Sequence, residues 1–96
     1  VDLTTLDPEV RELLPLFVQG SRGRLESLDS LLQAQRFDDI RRLGHGLKGT
    51  SSMYQLDWLA ELGKALEQAA EQGDLQAITE CGREWRRSLD ELAALL

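Results

Sequence analysis

Phe37-Asp38-Asp39-Ile40-Arg41-Arg42-Leu43-Gly44-His45-Gly46-Leu47-Lys48-Gly49-Thr50-Ser51-Ser52-Met53-Tyr54 is the stretch that decides the fold. Ile40, Leu43, Leu47, Thr50 or Ser51, and Tyr54 recur at the three-four spacing of one helical face. At roughly 100° per residue, His45 points away from the middle of that face. Gly49 does the same, and Arg41, Lys48 and Ser52 flank the outward stripe. His45 is the only histidine in the chain, and the pattern predicts that it is solvated and reachable. Gly44, Gly46 and Gly49 crowd around it. Each glycine costs about 1 kcal/mol relative to alanine in a helix interior. Bare main chain beside a reactive side chain lets another macromolecule come close, and this is the role the sequence suggests for all three.

Outward from this stretch, the chain breaks into further amphipathic segments. Asp7-Pro8-Glu9 is a helix start, with a capping side chain, proline in the first turn and an acidic residue near the positive end of the dipole. Pro15 interrupts, and helix interiors tolerate proline badly. The expectation is therefore a short first helix ending near Leu14, or a kink there, followed by a helix over residues 16–35. Its stripe is Leu14, Phe17, Ser21, Leu25, Leu28, Leu31 and Leu32. Asp38 or Asp39 is a candidate cap for the His45 helix. After a break at residues 55–57, Leu56, Leu59, Gly63, Leu66 and Ala70 form the next stripe. Gly73-Asp74 stops that helix and caps the last one, which carries Leu75, Ile78, Gly82, Trp85, Leu89, Leu92 and Leu96. Short connections make consecutive helices antiparallel neighbours. The expected fold is all-α, an up-down antiparallel four-helix bundle with a short extra N-terminal helix, in one domain over residues 1–96.

Composition narrows the function. The chain has 96 residues, is 42% hydrophobic with leucine dominant, and carries a formal charge of −6. Nucleic acid is thereby disfavoured as a partner, because phosphate backbones select basic surfaces. Arg36, Arg41, Arg42 and Lys48 against Asp38 and Asp39 make a locally positive patch around the histidine, suited to steering an acidic partner. No apolar run is long enough to span a bilayer and no signal peptide is visible. The chain begins with Val rather than Met, as an excised or processed domain would. The lone Cys81 forms no intramolecular disulfide, fits a reducing compartment, and reads as a buried, inert thiol.

One histidine excludes a ferritin-like di-iron site, which needs two Glu-x-x-His pairs. A zinc site would have to draw on His45 and Cys81 with carboxylates and is disfavoured. No P-loop, dinucleotide fingerprint or Gly-x-Ser-x-Gly elbow is present. A Ser-His-Asp triad around His45 stays open on sequence, although a small bundle is a poor host for the pocket it needs. What remains is imidazole acting as a nucleophile. An unperturbed imidazole titrates at about pH 6.5, so a solvated ring has a free lone pair at neutral pH. Phosphoryl transfer needs in-line positioning and charge neutralisation. Lys48, one helical turn from His45, can supply part of that positive charge.

His45-Gly46-Leu47-Lys48-Gly49-Thr50-Ser51 resembles the His-x-x-Lys-Gly signature of histidine-containing phosphotransfer (HPt) domains of two-component phosphorelays. The likeness extends over residues 8–75, through Phe17, the leucines at 25–32, Phe37 to Leu43, Leu56, Leu59, Leu66 and Glu67. The last helix fits by length and pattern. Gly44 and Gly46 stand where alanine and a larger residue are more typical, and Gln55 where a glycine often closes the motif's helix. The resemblance implies that His45 takes a phosphoryl group from a receiver-domain phospho-aspartate and passes it to another receiver. It implies no autonomous kinase activity, no cofactor on this chain, and magnesium on the partner receiver. Lys48 would support the phosphate, Gly49 would clear space for the receiver, and Glu67 would neighbour the imidazole. Arg41, Arg42, Gly49 and Ser52 are the candidate partner-contacting residues. The implied partners are response-regulator receivers and a hybrid sensor histidine kinase, met by a monomeric cytoplasmic domain without membrane contact. Two alternatives are a non-phosphorylated module that docks a receiver or kinase, and the kinase-labelled N-terminal domain of a chemotaxis-type kinase.

Overall fold

A computed structural model describes residues 3–96. Four helices follow one another: α1 (Pro8–Gln33), α2 (Phe37–Met53), α3 (Asp57–Glu71) and α4 (Leu75–Leu95). Each packs on its neighbours in sequence, and α4 closes the ring against α1. The result is the expected up-down antiparallel bundle, 39 × 18 × 17 Å.

The separate leader helix is not present: α1 runs unbroken through Pro15. Pro15 is exposed, as is Arg11, whose carbonyl loses the proline's missing N–H. That carbonyl lies on the solvent side, where water can satisfy it. On the opposite face, Leu14, Phe17 and Val18 bury almost completely and hold the segment to the bundle. Packing of this face outweighs the local penalty of the proline.

The predicted stripes form one core. Ile40, Leu47, Leu56, Leu59, Leu66, Ile78, Trp85, Leu89 and Leu92 are fully buried beside Leu14, Phe17, Leu25 and Leu28. Only the extremes of the last stripe, Leu75 and Leu96, emerge into solvent. Trp85 brings a polar atom into this core, and its indole Nε1 donates to Ser21 Oγ at 2.8 Å. That bond removes the penalty of an unpaired buried donor and ties α4 to α1.

All three connections use one device. Arg36, Leu56 and Asp74 donate their backbone N–H to Leu31, Ser51 and Ala69, while Gln35, Gln55 and Gly73 donate to Leu32, Ser52 and Ala70. This is the Schellman pattern. It requires a left-handed residue at each turn, and Gln35, Gln55 and Gly73 have φ of 53°, 59° and 64°. Asp74 caps α4 as expected, accepting from Ala77 N–H at 3.1 Å. Asp7 and Asp38/Asp39 do not cap. The side chain of Asp7 accepts from Gln55 Nε2 instead. Helix α2 starts at Phe37 with Arg36 in the cap position, which places Asp38 and Asp39 inside its first turn. Replacing the exposed Gln35 by glycine relieves a conformation that costs an L-residue about 1–2 kcal/mol, against roughly 0.4–1 kcal/mol of added chain entropy in the unfolded state. Thermal or urea unfolding of Gln35→Gly should show a net gain of about 0.5–1 kcal/mol.

Candidate functional site

The close packing of α2 on α3 starts from two glycines. A Cβ built on Gly44 would lie 2.7 Å from Glu67 N and 2.8 Å from the Gly63 carbonyl oxygen. A Cβ on Gly63 would lie 2.5 Å from Lys48 N and 2.8 Å from the Gly44 carbonyl oxygen. The helices therefore cross backbone against backbone. Gly44 is buried in this contact rather than open to a partner, which corrects the reading that all three glycines clear space for docking. Gly46 faces the guanidinium of Arg24 on α1, and only Gly49 looks onto open space.

The crossing sets the site. Lys48 lies one turn after Gly44, and Glu67 one turn after Gly63. The narrow gap lets the Glu67 carboxylate reach both His45 and Lys48 on α2. Its Oε2 lies 3.0 Å from His45 Nδ1 and its Oε1 3.1 Å from Lys48 Nζ. Glu67 is mostly enclosed, with its side chain 15% exposed, whereas that of His45 is 67% exposed. Lys48 is intermediate at 37%. The hydrogen bond from Lys48 holds the Glu67 carboxyl below its ordinary pKa, with a smaller contribution from His45, while partial burial opposes both.

An ionised carboxylate only accepts hydrogen bonds, so its partner nitrogen on the neutral ring must carry the proton. Nδ1 is thus the N–H, and Nε2, on the far side of an exposed ring, keeps its lone pair. Were Nε2 to attack an electrophile, the ring would become cationic with the proton still on Nδ1, and that charge would form beside the Glu67 carboxylate. Such an orienting carboxylate both fixes the tautomer and stabilises the charge that develops.

The surrounding charges are more balanced than the sequence implies. Arg36 pairs with Asp39 at 2.8 Å, Arg42 with Asp39 at 3.7 Å, and Arg41 with Asp38 at 4.0 Å. With Lys48 engaged by Glu67, the positive patch is largely neutralised from within. Gly49, Ser52 and Arg42 are exposed along the outward stripe with His45, and Arg41 is half-buried at its edge. Two residues of this region were not singled out from sequence as site residues. Gly63 appeared only as a stripe position, and Arg24 carried no motif. Arg24 Nη1 donates to Thr50 Oγ1 at 2.9 Å and to the Gly46 carbonyl at 3.4 Å.

Among the described residues, no three His, Cys, Asp or Glu side chains cluster as a metal site would require. No described helix is long and apolar enough to cross a membrane. Cys81 is half-buried, and burial pushes its thiol pKa up, helped by Glu80 and Glu84.

The family model described as the Hpt domain matches residues 12–95 of the chain. Among curated proteins and solved structures, none matches it significantly.

Proposed function

Because the chain belongs to the Hpt-domain family of two-component phosphotransfer, we propose that His45 is its phosphoryl carrier between receiver-domain aspartates. One observation carries this reading: Glu67 bonds His45 Nδ1 and Lys48 Nζ at once. In the step itself, Nε2 of His45 attacks the phosphorus of the receiver's acyl phosphate. The N–P bond forms as the P–O bond to the aspartyl group breaks, and the carboxylate leaves with the electron pair. The Nδ1 proton stays in its bond to Glu67. Lys48 stands one turn along α2 and faces the incoming phosphate with the charge not absorbed by Glu67. Delivery to a second receiver is the same step reversed.

This chemistry needs no pocket on the chain, since the receiver completes the site and brings the magnesium. The exposed ring, the open main chain at Gly49 and the exposed Ser52 support close docking there. Arg41 and Arg42 line the same face. Met53 on α2 and Leu16 on α1, both largely exposed, lie at the end of the bundle marked by the Phe17–Tyr54 ring contact. They add apolar surface of the kind that interface cores use. The domain works as a cytoplasmic monomer that docks receivers and a sensor kinase in turn.

Incubation with a phosphorylated receiver should place an acid-labile, base-stable phosphate on the chain. His45→Gln, at an exposed position, should fold normally and take none. Labelling that survives this substitution would reject His45 as the carrier.

A further inference from the structure

The phosphorylated site needs more positive charge than Lys48 can give. A phosphoryl group brings a charge of about −1.5 to −2 near neutral pH. Lys48 is already shared with Glu67, and Arg36, Arg41 and Arg42 face Asp38 and Asp39. Arg24 differs from all of them. Among the described residues its guanidinium pairs with no carboxylate and rests on two neutral acceptors, Thr50 Oγ1 and the Gly46 carbonyl.

Arg24 also approaches from the side opposite Glu67. It reaches across from α1 to the residue that directly follows His45. Gly46 puts no side chain in its path, and the position a Cβ would take lies at ordinary contact distance, 3.8 Å, from Arg24 Nη1. A guanidinium has five N–H donors, and only Nη1 is engaged here. Exchanging a neutral hydroxyl for a phosphoryl oxygen converts an ordinary hydrogen bond into a charge-assisted one, which is about twice as strong.

We propose that Arg24 is a positioning residue for the phosphorylated state, closing from α1 onto the phosphoryl group of His45 while Lys48 holds it from the other side. The proposal rests on His45 being the phosphoryl carrier. It assigns Arg24 to the stability of the phosphorylated chain rather than to docking of the partner.

That distinction has a clean readout. The equilibrium partition of phosphate between His45 and a receiver aspartate depends on the free phosphorylated and unphosphorylated species. Docking contacts alter forward and reverse rates alike and cancel from it. The experiment mixes each full-chain variant, at low concentration, with one receiver domain phosphorylated by acetyl phosphate and freed of excess donor. Arg24→Gln should lower the phospho-His45 to phospho-receiver ratio by about three- to fivefold, the scale of one exposed charge contact. Arg24→Lys should restore most of the ratio, and added salt should narrow the gap. Thr50→Val frees the guanidinium without removing its charge and should keep the wild-type ratio or raise it.

An Arg24→Gln ratio equal to wild type, with only rates changed, would overturn the proposal in favour of docking. A Thr50→Val loss as large as that of Arg24→Gln would overturn it in favour of helix packing. A wild-type chain that takes no phosphate would instead refute the carrier reading.

Discussion

Gly63→Ala is expected to lower stability by about 2–3 kcal/mol, the upper part of the range for overpacked interiors, and to cripple phosphotransfer with it. The three atoms nearest the new methyl group would all be main-chain atoms of α2: Lys48 N at 2.5 Å, the Gly44 carbonyl oxygen at 2.8 Å and Lys48 Cα at 2.9 Å. Main chain cannot rotate away as a side chain could, so the helices must separate. For a domain of this size the melting temperature should fall on the order of 10 °C. Separation also draws Glu67, one turn along α3, back from His45 and Lys48. Gly49→Ala is the control on the same face. Nothing lies within 4 Å of a Cβ there, so the substitution should leave stability unchanged or raise it by up to about 1 kcal/mol through helix propensity. Parallel calorimetry and transfer assays on the two variants separate helix crossing from docking space.

Glu67→Ala should slow phosphoryl acceptance by about tenfold or more, the lower end of what losing an orienting partner costs at comparable sites. Both ring nitrogens then compete for the proton, and the cationic ring formed on attack loses its counter-charge. Glu67→Gln should fall between, because an amide oxygen can still accept from Nδ1 but carries no charge for the ring or Lys48. Equal rates for wild type and both variants would remove Glu67 from the chemistry. The carboxylate also makes a pH-dependent contribution to folding. Its pKa is lower in the folded chain, so its stabilisation is complete above the ordinary glutamate value. It is lost as pH falls through the lower folded value. Melting temperatures of wild type and Glu67→Gln should therefore differ most at neutral pH and converge in acid.

Much of this organisation can be read from the residues, because burial follows helical period. The stripes through Ile40 and Leu47, Leu59 and Leu66, and Ile78 and Trp85 all face the core, and His45 opposes its stripe. Asp74 caps where a short acidic residue after Gly73 should. Periodicity describes one helix at a time, however, and apart from the early start of α2 that denies Asp38 and Asp39 the cap, the misreadings concern what lies across from a residue. Gly44 sits beside a reactive histidine in sequence but against Gly63 in space. Pro15 looks like a break until its solvent-facing partner carbonyl is set against the buried Leu14 and Phe17. Arg24 is unremarkable until α1 lies beside Gly46 and Thr50. The cationic patch looks unbalanced until Glu67 arrives from another helix.

Glu67 is expected to hold the proton on Nδ1 and leave Nε2 of His45 as the nucleophile. Nitrogen-15 NMR of imidazole-labelled chain, before and after incubation with a phosphorylated receiver, tests it directly. The free protein should show Nδ1 protonated, and the phosphorylated protein should show phosphorus coupled to Nε2. A free ring protonated on Nε2, or phosphorus bonded to Nδ1, would rule out this role for Glu67.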